Sequence, residues 1–106
     1  MSISERYRQI LEQIDQESDR LYEVLPASTA SALRLVDIAA EGLQDWVDSV
    51  GEIPQMQLEN KLSPVLLQAH SDLDRARVLL EKDEHQQASE TVWALEQGVY
   101  RLLNDL

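Results

Sequence analysis

Cysteine is absent from the 106-residue sequence, which excludes disulfide cross-links, thiolate metal sites and a cysteine nucleophile. Phenylalanine is absent too, so Tyr7, Tyr22, Trp46, Trp93 and Tyr100 are the whole aromatic complement. The three glycines stand singly at 42, 51 and 98. Neither a glycine-rich phosphate loop nor a Gly-x-Ser-x-Gly nucleophile elbow can be built from them. Basic residues are few, nine against twenty acids, and the net charge of -11 repels phosphate backbones and anionic lipid surfaces. Direct nucleic-acid binding and membrane association are therefore not expected. No apolar run approaches the roughly 20 residues that span a bilayer. The opening "MSISERYRQILEQ" is charged by its fifth residue and lacks the apolar stretch of a secretory signal, which makes the cytoplasm the expected location.

What is present points to helices. With 43% hydrophobic and 27% charged residues the chain can form one modest core, and residues 1–106 are read as a single domain. Long stretches rich in Leu, Ala, Glu, Gln and Arg run between only three prolines. Apolar spacings of three and four predict an all-α, antiparallel up-down-up-down four-helix bundle, with helices at about 4–24, 28–50, 63–82 and 85–105.

Each helix has its expected seam. The first is capped by Ser4, buries Ile3, Tyr7, Ile10, Ile14, Leu21 and Val24, and turns Glu5, Glu12, Asp15, Asp19 and Glu23 outward. The second starts at Ser28 or Thr29, stops at Gly51 and buries Leu33, Val36, Ala39, Ala40, Leu43, Trp46, Val47 and Val50 opposite Asp37, Glu41, Asp45 and Asp48. Gly42 is expected to permit close helix approach. Met56 and Leu58 should lay the following connection across the end of the bundle. Ser63 as N-cap and Pro64 at the first position should start the third helix, whose seam is Leu62, Leu66, Ala69, Leu73, Ala76 and Leu80. The run through Ala76, Leu80, Asp83 and Ala88 resembles one hairpin of a tetratricopeptide unit, but no second copy and no closing proline follow, so no peptide-binding function is implied.

Catalytic and metal chemistry find little support. Di-metal carboxylate bundles need Glu-x-x-His pairs, whereas Leu67 and Lys82 stand three residues before His70 and His85. His70, Asp74 and Arg77 share one edge of the third helix and read as a surface ion-pair network. No catalytic residue, cofactor or metal is assigned.

The fourth helix is the exception to the acidic pattern. Ala88, Val92, Leu95, Val99, Leu102 and Leu106 form its core seam. At 100° per residue Trp93 and Tyr100 lie about 160° and about 140° from Leu95, among the uncharged Ser89, Gln97 and Asn104. Interface cores are enriched in aromatics and depleted in charge. These five residues are therefore the expected binding site for another protein or for a second copy of the chain. The functional expectation is a non-enzymatic adaptor, small chaperone or regulatory subunit; the alternative is an acidic decoy of a basic nucleic-acid-binding protein, and a metal or enzymatic bundle comes third. Cover from a neighbouring helix or the long connection would instead make Trp93 and Tyr100 structural.

Overall fold

The computed structural model describes all 106 residues as four antiparallel helices without a strand. They are α1 (Ile3–Val24), α2 (Ala30–Gln44), α3 (Leu58–Lys82) and α4 (Gln86–Asn104). α1 packs on α2 and α4, and α3 packs on the same two helices, so successive helices are neighbours around a square. The molecule measures 43 × 20 × 20 Å, and the sequence-based architecture is correct.

α1 is capped two residues earlier than expected, because Ser2, not Ser4, is its N-cap and accepts a hydrogen bond from the Glu5 amide at 3.1 Å. Its buried line is Tyr7, Leu11, Ile14, Ser18 and Leu21, a four-three alternation that runs straight through Ser18. Ser18 is tolerated there because its hydroxyl donates to Asp37 Oδ1 at 2.7 Å, and Tyr22 donates to the other oxygen at 2.8 Å. Tyr7 is satisfied as well, donating to the Leu43 carbonyl at 2.6 Å. Burial, with the nearby Asp45 charge second, raises its phenol above the ordinary value. Val24, expected in the seam, is exposed.

α2 is shorter than predicted. It ends at Gln44, and turns followed by a 3₁₀ segment at Val50–Glu52 carry the chain onward. The change of winding rotates Trp46 off the core face to 36% exposure while Val47 and Val50 stay buried. Met56 does not cross the bundle end, being 95% exposed, whereas Leu58 is buried. A Cβ at Gly42 or Gly98 would meet nothing within 4 Å, so neither glycine serves close helix packing.

α3 starts at Leu58 and carries Pro64 inside, contrary to the Ser63–Pro64 start. Leu58 and Leu62 extend the buried seam upstream, and Pro64 is exposed on the outer face, where water can satisfy the carbonyl its missing N–H leaves free. The α3–α4 turn closes with Glu84 at φ 64, a left-handed conformation in which glycine is the usual residue. The His85 amide then reaches the Leu80 carbonyl at 2.9 Å, and the Glu84 amide reaches that of Glu81 at 3.0 Å.

Candidate functional site

α4 is long enough, at 19 residues, to place Trp93 and Tyr100 two turns apart on one side while its seam fills the core. Ala88, Val92, Leu95, Val99 and Leu102 are all buried. Trp93 and Tyr100 remain 53% and 47% exposed, so neither is enclosed by a neighbouring helix or by the connection. Gln97 is half-buried between them and Asn104 is exposed beyond them. Ser89, which shares their helical stripe, is only 2% exposed and is not part of an accessible face. Its angle on the helix differs from that of Tyr100 by only about 20°, so the burial reflects packing by its neighbours and not its place on the wheel.

The stripe does not end at α4. His70 on α3 brings its ring to 6.0 Å from that of Tyr100, at a tilt of 51°. Leu67, one turn before His70, is 53% exposed. It gives the same edge of α3 an apolar residue that was absent from the sequence-derived set. Trp93, Tyr100 and Leu67 thus flank the α3–α4 seam, with Gln97 and His70 as the polar groups among them.

Beneath this surface lies a charge cluster that the sequence showed only in part. Arg77 donates to Asp74 Oδ1 through Nε at 3.1 Å and Nη2 at 2.8 Å, and to Glu81 through Nη1 at 2.8 Å. His70 makes no ion pair with Asp74; its Nε2 stands 3.9 Å from Glu96 Oε2 instead. Glu96 itself is only 3% exposed, and its Oε1 accepts no hydrogen bond although Arg77 Nε is 3.4 Å away. Burial first, and the adjacent Asp74 charge second, push its carboxyl up to about 7. Asp74 moves the opposite way, held below the ordinary carboxylate value chiefly by its hydrogen bonds from Arg77. Below neutrality the pair is therefore an ionised Asp74 beside a protonated Glu96. Glu96 could have been suspected from its place between seam and stripe, but only the approach of α3 explains why it is buried.

A different surface forms across α1 and α2. Glu12, Asp15 and Asp19 face Asp48, and Arg8 is the only basic residue lining that groove, 3.9 Å from Asp48. Asp15 also borders Asp37 and Glu41. Burial, then Asp19 and Asp37, raises its carboxyl above the ordinary value. The two acidic ridges read separately in the sequence thus meet. No group of three or more histidine and carboxylate side chains is arranged to hold a metal ion, and no helix is long and apolar enough to cross a membrane.

Comparison of the chain with protein-family models, curated proteins and solved structures returned no match, so the functional reading rests on the geometry.

Proposed function

We propose that the chain is a non-enzymatic protein–protein interaction domain that works as an adaptor, small chaperone or regulatory subunit, and that its docking face is Trp93, Gln97, Tyr100 and Asn104 with Leu67 beside them. The observation that carries this reading is the exposure of Trp93 and Tyr100 above a core that is complete without them. Large aromatics of this kind are the anchors that contribute most of the energy at interfaces. Low local charge matters here, because a molecule of charge -11 can bring an apolar partner close only where its own carboxylates are sparse. The partner is another protein, or a second copy meeting the same face about a two-fold axis. In the test, Trp93→Ala with Tyr100→Ala should leave the fold within about 1 kcal/mol of the parent and abolish partner capture or dimerisation. Retained association, or a stability loss of several times that size, overturns the reading.

The acidic α1–α2 groove supports a second reading, a decoy that attracts a basic nucleic-acid-binding protein. Asp15, raised first by burial and then by the charges of Asp19 and Asp37, favours it, since a cation placed there would relieve the repulsion among the three carboxylates. Its signature is affinity that falls steeply with added salt; salt-insensitive affinity refutes it.

A further inference from the structure

A third surface lies on the other flank of α3. The groove between α2 and α3 encloses about 330 Å³, near the lower end of the volumes of small-ligand sites. Ala39 and Ala69, both buried, lie along it, Trp46 stands at its edge, and Asp45 and Asp72 border it from either helix. No lysine or arginine lines it.

We propose that this groove receives an arginine side chain presented by a partner protein. Three observations converge on that occupant. Asp72 is 4% exposed, and the contacts it receives, from Gln68 Nε2 at 3.1 Å and Arg75 Nη1 at 4.0 Å, both go to Oδ1. No hydrogen bond from the chain reaches Oδ2, which leaves one oxygen of a mostly buried carboxylate free to accept from an incoming donor. Next, Trp46 lines the same groove as the carboxylates Asp45 and Asp72, a combination that suits a guanidinium, which stacks on aromatics and donates charge-assisted hydrogen bonds to carboxylates. Last, Gly42 keeps the wall low: glycine is a poor residue for a helix interior, yet nothing packs against it and its missing side chain leaves the groove open. The alanines and Val65 suit the aliphatic stem of the incoming residue. Lysine fits less well, because its compact, strongly hydrated ammonium has no planar face to stack on an indole and no forked donors to match a carboxylate. This site is separate from the Trp93–Tyr100 face and stands or falls without it.

The test is a nitrogen-15-edited NMR titration of the full chain with N-acetyl-arginine amide at millimolar concentrations. The lysine and glutamine analogues are titrated in parallel. Saturable shifts of the Trp46 indole N–H and the Gly42 amide are expected with the arginine probe, with the lysine probe weaker and the glutamine probe silent. Gly42→Leu, which the open space accommodates, should abolish saturation, and Asp72→Asn should weaken binding about tenfold. Asp45→Asn supplies the same reading from the other helix if Asp72→Asn disturbs the fold. Shifts confined to the Asp15–Asp19 surface, equal response to the lysine probe, or saturation that survives Gly42→Leu would overturn the assignment.

Discussion

The α1–α2 flank and the α3–α4 flank solve the same packing problem with opposite surfaces. Across α1 and α2 the groove carries four carboxylates, Glu12, Asp15, Asp19 and Asp48, and the polar contacts that join the two helices, Tyr7 to the Leu43 carbonyl and Ser18 to Asp37, are short and complete. Across α3 and α4 the large side chains of Trp93, Tyr100 and Leu67 are exposed, and the buried carboxylate near them, Glu96, has an oxygen that accepts no hydrogen bond. The first surface is suited to water and to basic groups. The second retains apolar area and an unfavourable charge, neither of which helps this chain fold alone. That contrast, more than the number of acids, is what points to a docking role for α4.

The largest effect should come from the core the two flanks share. Leu73 is fully buried, so Leu73→Ala should cost roughly 2–5 kcal/mol in denaturant unfolding. A smaller loss than from truncating the outer aromatics would erase the distinction between core and face.

Glu96 supplies the next prediction and a sign. Its folded carboxyl titrates near 7, above the ordinary glutamate value, so the folded state holds the proton more tightly than the unfolded state. The resulting stabilisation is fully present below the ordinary glutamate value and is lost as pH rises through about 7. Glu96→Gln, a neutral near-isostere, should be close to the parent at pH 4 and more stable by on the order of 1–3 kcal/mol at pH 8. Parallel stability curves for the two proteins across that range would show that the buried carboxylate is not the strained group it is taken to be.

On the opposite flank, Ser18→Ala removes the donor to Asp37 and should destabilise by about 1 kcal/mol, since Tyr22 still serves that carboxylate. A comparable gain would mean that the acidic side also stores strain. The smallest effect belongs to the α3–α4 turn. Glu84→Gly, at φ 64, should stabilise by about 0.5 kcal/mol, and a loss would show that its left-handed conformation suits glutamate better than its backbone suggests.

The helices, the α3 seam and most of the other three seams were legible because apolar spacing of three and four survives much of the detail of packing. In α1 the expected seam lacks Leu11 and Ser18, and Ser18 is not legible as a core residue because the partner that makes its burial acceptable, Asp37, is on another helix. Boundaries failed for related reasons. Pro64 looked like a start signal, yet on an outer face it interrupts little, and Leu58 and Leu62 have a core to fill upstream of it. Trp46 was assigned to the core by carrying the α2 periodicity past the point where the winding changes. The aromatic stripe was visible because it breaks a local pattern. The burial of Glu96 and Ser89 was not, since both depend on how closely α3 approaches, a distance no single-helix projection contains.

The central claim, that the chain docks through α4 and not through its acidic flank, is tested most directly by site-specific photo-cross-linking in the native cell. A photoreactive phenylalanine at position 97, between Trp93 and Tyr100, is compared with one at Glu12. The account predicts a discrete adduct from position 97, to another protein or a second copy, that disappears in the Trp93→Ala, Tyr100→Ala background, with none from position 12. Adducts from position 12 and unmodified monomer from position 97 would contradict it.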